Sequence, residues 1–180
     1  IELPKPFFMI ATENPVEFEG AFPLPEAQKD RFFLSTRMGY PPGVSEKEIM
    51  DSQRRISHPV TDLKAVTDTD TVNQLQTEIL SVKVDESLVA YILNLVEATR
   101  TDERLRLGAS PRASMALYKG SQALAAIRGR EEVIPDDIQD LVSPVLWKRI
   151  TVKSENLLKG LTEERAIEDN DVMQFYPLIN

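Results

Sequence analysis

Three polar residues stand where the sequence pattern gives them chemistry. Asn14 follows the apolar run Phe7-Phe8-Met9-Ile10, which is bounded by Pro4, Pro6 and the polar stop Thr12-Glu13-Asn14-Pro15. Such a run suits a buried strand of the parallel-sheet kind, and open α/β sheets place ligand contacts at the C-terminal ends of their strands. There the Asn14 amide can orient a water or touch a phosphate, with Thr12 assisting, or it can simply cap the turn at Pro15. Arg31 lies in Pro23-Leu24-Pro25-Glu26-Ala27-Gln28-Lys29-Asp30-Arg31-Phe32, where two prolines lead into a short helix that presents a charged pair before an aromatic. Its planar fork suits a phosphate, but an ion pair with Asp30 or Glu26 would use it equally well. Arg112 falls in the first turn of a helix opened by Ser110 and Pro111, where the macrodipole disfavours a cation. An anion held there by Arg112 and the free N–H groups of the helix start would explain the placement, and so would an exposed arginine lying over a neighbouring helix.

No other residue set offers a reaction. The sequence has no cysteine and a single histidine, His58, which reads as a linker residue with no metal role. The acidic pairs Asp68 with Asp70, Glu131 with Glu132 and Asp136 with Asp137 read as helix-start charges and solvated faces rather than catalytic dyads. No nucleophile has a base near it in sequence. The glycines, at 20, 39, 43, 108, 120, 129 and 160, are too scattered for a G-x-x-x-x-G-K-S/T phosphate loop, and no apolar strand ends in the paired acids that hold magnesium. Alone, the chain lacks the parts that bind a nucleotide's phosphates and metal.

The elements that must position these residues change character near residue 40. Upstream, Phe7 to Ile10 is the one convincing strand, Val16 to Pro25 a loop, Glu26 to Phe33 a short helix, and Leu34 to Met38 a brief second strand. Tyr40-Pro41-Pro42-Gly43 makes a hinge-like break. Beyond it the pattern is helical. Ser45 with Glu48 has capping-box spacing and opens a helix ending near Arg55; Thr71 to Ser81 is the next. The strongest runs from Asp85 to Arg100, with Leu88, Val89, Ile92, Leu95 and Val96 on one face. Ser110 to Gly129 follows, carrying Ala113, Ala116, Leu117, Leu124 and Ile127, and its alanines with Gly120 predict close packing against a neighbour. Ile134 to Ile150 is a helix that Pro144 should bend or split, with Trp147 as core or subunit contact, and Thr162 to Asp169 is the last. The expected core is Leu88, Ile92, Val96, Leu117, Leu124, Ile138 and Leu141.

Composition narrows the partners. Of 180 residues, 42% are hydrophobic and 28% charged, enough apolar mass for a core. The net charge of −8 gives no help toward a phosphate backbone, so no nucleic-acid partner is expected. No apolar run approaches the ~20 residues of a membrane helix, and no targeting segment opens the chain. The expectation is a soluble, cytoplasmic protein without membrane insertion.

The motifs Phe7 to Pro15, Glu19-Gly20, Pro23 to Phe32, Gly39-Tyr40-Pro41, Ala98-Thr99-Arg100 and Leu107-Gly108-Ala109-Ser110-Pro111-Arg112-Ala113 together resemble the second part of MoxR-type AAA+ ATPases. Pro135-Asp136-Asp137-Ile138 resembles the opening of a later lid helix, and the likeness covers residues 5 to 165. The resemblance implies a mainly α fold, a helical lid domain carrying a short remnant of the α/β ATPase core, divided as residues 1–38 (remnant) and 39–180 (lid). It implies that Asn14 is the sensor 1 residue, Arg31 the arginine finger offered to the adjacent subunit's nucleotide, and Arg112 the sensor 2 arginine. It further implies ATP and Mg2+ in the complete protein and a homo-oligomeric ring, a hexamer by analogy. A chaperone-like role in maturation or metal insertion of partner complexes goes with it, with a von Willebrand factor A domain protein as a partner. The upstream half with Walker A and Walker B is absent, so the sequence reads as a fragment, inactive and without bound nucleotide by itself. A non-catalytic helical adaptor module is the competing reading. In the fragment, the Phe7 to Ile10 strand has lost its sheet partners, so residues 1 to 36 are expected to be the weak part, and removing 1–38 to leave the helices folded.

Overall fold

A computed structural model describes residues 3–13, 24–54 and 59–168. The helices in chain order are α1 (Glu26–Lys29), α2 (Gly43–Ser52), α3 (Thr69–Glu78), α4 (Glu86–Thr101), α5 (Pro111–Ile127), α6 (Pro135–Leu146), α7 (Ser154–Leu157) and α8 (Glu163–Glu168). Two short strands, β1 (Leu105–Leu107) and β2 (Thr151–Val152), pair antiparallel. The fold is mainly α, as the periodicity predicts. The chain forms two compact units, one of residues 1–8 and 36–76, the other of residues 9–35 and 77–180.

The first unit contains α2 and most of α3. Its entry differs from expectation: α2 opens at Gly43 behind Pro42, whose carbonyl accepts the N–H groups of Ser45 and Glu46, so Ser45 lies inside the first turn rather than capping it. Pro42, with φ already near the helical value, starts the helix without a side-chain cap. In α3 the start charge does act as a cap, because Asp68 accepts the Thr71 N–H at 2.7 Å, and that bond holds its carboxyl below the usual range. Neither α2 nor α3 contains a fully buried residue.

The second unit holds the core. Leu88, Ile92, Leu95 and Val96 of α4, Ala113, Ala116, Leu117 and Ala125 of α5, and Ile138, Val142, Val145 and Leu146 of α6 are buried together. Leu124 and Leu141, expected in the core, are only partly buried, and Ile127 is exposed at the end of α5. Small residues let α5 and α6 approach: a Cβ on Gly120 would lie 2.9 Å from Leu141 Cδ1 and 3.3 Å from Phe33 Cζ. Asp85 caps α4 by accepting the Ser87 N–H at 2.8 Å. Asp137, fully buried in the first turn of α6, accepts the Ile134 N–H and is held by Arg128 and Arg130 at 2.9 and 2.5 Å. Burial pushes its carboxyl up, and those hydrogen bonds and charges more than offset that, leaving it below the ordinary range.

Four expectations are corrected. Phe7 to Ile10 and Leu34 to Met38 are not strands; no ladder partner for either exists among the described residues, and a lone strand leaves its backbone groups unpaired. The helix expected from Ile134 to Ile150 is not split at Pro144, and it ends at Leu146. That proline sits in the last turn of α6, where it forfeits one ladder bond, and its carbonyl accepts the Ser35 N–H at 2.9 Å. The expected helix from Glu26 to Phe33 shrinks to the single turn of α1.

Candidate functional site

Arg112 owes its place to the joint between α4 and α5. Thr99 near the end of α4 donates to the Val96 carbonyl at 2.6 Å and accepts the Ala109 N–H at 3.0 Å, while Arg100 Nε donates to the Ala109 carbonyl at 3.0 Å. Between them the backbone runs so close that a Cβ on Gly108 would lie 2.5 Å from the Thr99 carbonyl oxygen. Only glycine fits there. The joint delivers Ser110 as the cap of α5, its side chain accepting the Arg112 N–H at 3.2 Å, and sets Arg112 in the first turn, half-exposed.

The anion that this cation called for is present, and the chain itself supplies it. Asp30 accepts from Ser110 Oγ at 2.9 Å on each of its oxygens and from Arg112 Nη1 at 3.2 Å. The sequence offered Arg31 as the partner of Asp30 or Glu26. Instead Asp30 turns to Arg112 and Arg149, Glu26 turns to Arg106 at 2.5 Å and Thr151 at 3.2 Å, and Arg31 stays exposed, with no ion pair among the described residues.

Residues 24–35 form a strap that is fastened on both sides of Arg31. Upstream are the Glu26 contacts to β1 and β2. Downstream, buried Arg149 donates to the carbonyls of Phe32 and Phe33, Phe33 lies over Gly120, and Trp147 Nε1 donates to the Ser35 carbonyl at 3.1 Å. Glu13 adds a bond from Lys148 at 3.0 Å, and that hydrogen bond is the main reason its carboxyl is held below the usual range. Arg149 also donates to the Val145 carbonyl and faces Asp30 Oδ1 at 3.4 Å. Burial lowers its pKa and the Asp30 charge opposes that, but a guanidinium stays charged throughout.

Of the three residues with predicted chemistry, Arg112 belongs to a cluster centred on Asp30, while Arg31 is the next residue along the strap and makes no side-chain contact in that cluster. Asn14 lies outside the described residues. Arg149, which organises the strap, gave a faint signal in sequence: a second cation after Lys148 in an otherwise apolar stretch, Val145 to Ile150. Among the described residues no group of three or more acidic or histidine side chains could hold a metal ion.

Comparison with known proteins bears on the family. Residues 97–170 match the family profile described as AAA lid domain, and residues 1–34 match the one described as ATPase family associated with various cellular activities (AAA). The uncharacterized protein YeaC of Bacillus subtilis is 41% identical over 169 residues, covering 94% of this chain and 52% of its own. Chaperone MoxR1 of Mycobacterium tuberculosis is 36% identical over 181 residues, covering 96% and 47%. A crystal structure from Cytophaga hutchinsonii, of a protein provisionally named an ATPase, superposes with a TM-score of 0.86 at 32% identity over 97% of this chain and 55% of that one. The chain belongs to the MoxR-type AAA+ ATPases. It spans about half the length of the curated relatives it matches, and it carries the C-terminal part of that architecture, the end of the ATPase core and the helical lid. The strap is thus the core's contribution to this MoxR-type chain, and α4 to α8 fall in or beside its lid. Among the described residues no helix is long and apolar enough to cross a membrane.

Proposed function

We propose that this chain is the portion of a ring-forming, ATP-hydrolysing MoxR-type protein that senses and finishes the hydrolytic site, in a whole protein with a chaperone-like role toward partner complexes. In this reading residues 1–38 descend from the ATPase core and 39–180 are the lid. Arg31 is the finger presented to the nucleotide of the neighbouring subunit, Arg112 the lid arginine that meets phosphate, and Asn14 the residue that orients the attacking water. The ring is a hexamer by analogy, working in the cytoplasm without nucleic acid, and a von Willebrand factor A domain protein or metal-requiring complex would be among its partners.

The observation that carries the reading is the contrast at Arg31: the strap is fastened on either side of it, yet Arg31 itself is exposed and has no ion pair among the described residues. A surface arginine kept only for stability gains little, whereas one held out from a clamped segment is arranged for a partner. Arg31 and Arg112 both fit phosphate oxygens, one by exposure and one by its place at a helix start. ATP with Mg2+ supplies the γ-phosphoryl group and its charge compensation when bound. This chain's arginines orient and neutralise phosphate, while the phosphate loop and metal-holding acids belong to other parts of the protein. Arg31→Ala in the complete protein should spare nucleotide binding and cost ~10³ or more in turnover, while Arg112→Ala should alter both. The isolated chain should show no turnover. Equal losses of binding and hydrolysis in Arg31→Ala would remove the finger assignment. Unchanged activity in both variants would return the chain to the adaptor reading.

A further inference from the structure

The Asp30 carboxylate serves three side chains with two oxygens. Ser110 Oγ is 2.9 Å from each, Arg112 Nη1 is 3.2 Å from Oδ2, and Arg149 Nε is 3.4 Å from Oδ1. The last of these is a poor fit. Arg149 is 4% exposed at its side chain, and its Nε is buried without a hydrogen bond, although its other nitrogens are satisfied by the carbonyls of Val145, Phe32 and Phe33. Charge is also out of balance, because one carboxylate faces two guanidiniums and the next residue in the chain, Arg31, carries a third. A buried donor left unmade beside a carboxylate drawn elsewhere defines two arrangements of the same groups, differing in which arginine Asp30 serves.

We propose that Asp30 is a positioning latch between the two arginines of the nucleotide site. With no anion present it holds Arg112 and Ser110. When phosphate oxygens take Arg112, Asp30 is released, closes on Arg149 Nε and completes the missing hydrogen bond. Arg31 follows because it is the adjacent residue in the short helical segment, its N–H bonded to the Gln28 carbonyl at 3.1 Å. Occupancy at Arg112 is thereby transmitted to the residue offered to the next subunit. The inference rests on the reading that Arg112 meets phosphate. The size of the coupling is bounded by what the ligand gains once Arg112 is free, and a half-exposed pair sets that at about two- to fivefold in affinity.

Tripolyphosphate titrated into the complete protein, which carries the phosphate-holding parts this chain lacks, and followed by NMR, tests it. The Arg112 side chain, the Asp30 carboxyl carbon, the Arg31 amide and Arg149 Nε–H should move along one saturation curve. Arg112 titrating while Asp30 and Arg149 stay still would overturn the latch and leave the phosphate reading intact. No response at Arg112 at all would overturn both. Asp30→Asn should tighten tripolyphosphate binding about two- to fivefold, and Arg112→Ala should weaken it and remove the coupled shifts at Asp30 and Arg149. A folded Asp30→Asn chain that binds no more tightly than the parent speaks against the latch, and the parent's own titration decides the matter if that variant does not fold.

Discussion

Phe7 to Ile10 and Pro25 to Ser35 are near neighbours in the chain, and the more apolar of the two is the less buried. Phe7 is 59% exposed, Phe8 82% and Ile10 79%, while the charged segment lies docked through Glu26, Asp30, Phe33 and Ser35. Hydrophobicity supplies a reason to be covered but not a cover. The run at 7–10 reads as the inner strand of a sheet whose other strands are not in this chain, whereas the strap finds its partners on the helices that follow it. The difference shows that a segment's ancestry and its packing are separate facts: residues inherited from the ATPase core pack with the lid helices.

The sharpest way to break that comparison is to cut it. Removing residues 1–35 takes away the strap, and with it the carboxylate and two of the carbonyls that meet Arg149, so the urea midpoint of the remaining chain should fall substantially, whereas removing residues 1–8 should leave it nearly unchanged. Equal stability of the two truncations would mean that the strap is decoration, as the sequence alone implied. Arg149→Met is the next largest step: it takes the buried cation from Asp30 and the donor from three backbone carbonyls, and the cost expected for breaking a buried pair is about 3 kcal/mol in chemical denaturation. Acid should act more gradually. Asp137, Asp102, which is ion-paired with Arg104 at 2.9 Å, and Glu13 all have carboxyls held below their ordinary values, so the stability they contribute is complete above the unfolded pKa, near 4, and is lost as pH falls through the lower folded values. Thermal melts should be flat from pH 7 to about 5 and drop below about pH 4; a drop already at pH 6 would contradict these pairings. Smallest of all, Phe8→Ser should change stability by no more than about 0.5 kcal/mol and raise solubility, because the ring it removes touches water.

The helices were legible because periodicity and caps are local. Leu88, Ile92 and Val96 announce α4, Asp85 starts it, and Ser110 with Pro111 starts α5 within a residue of the observed boundary. The need for an anion at Arg112 was legible for the same reason, since a cation in a first turn is a local anomaly. What filled it was not, because Asp30 is 82 residues away in sequence and nothing in its own neighbourhood distinguishes it from a surface acid. The strand at 7–10 was misread through the opposite fault: the pattern was strong, but a strand is a statement about neighbours. β1 and β2, three and two residues long, were too short to carry any pattern.

The joint at Gly108 sets a length as well as a shape. From Arg100 to Arg112 the chain is threaded through Thr99, Ala109 and Ser110 with no slack, and a side chain at Gly108 would strike main-chain atoms rather than a rotatable group. One residue inserted there would advance α5 by about 100° at 3.6 residues per turn, carrying Arg112 off Asp30 and turning Leu117 out of the core in the same motion. Surface connections ordinarily absorb such insertions. This one is a spacer of fixed gauge, and homologous chains should keep both the glycine and the residue number there.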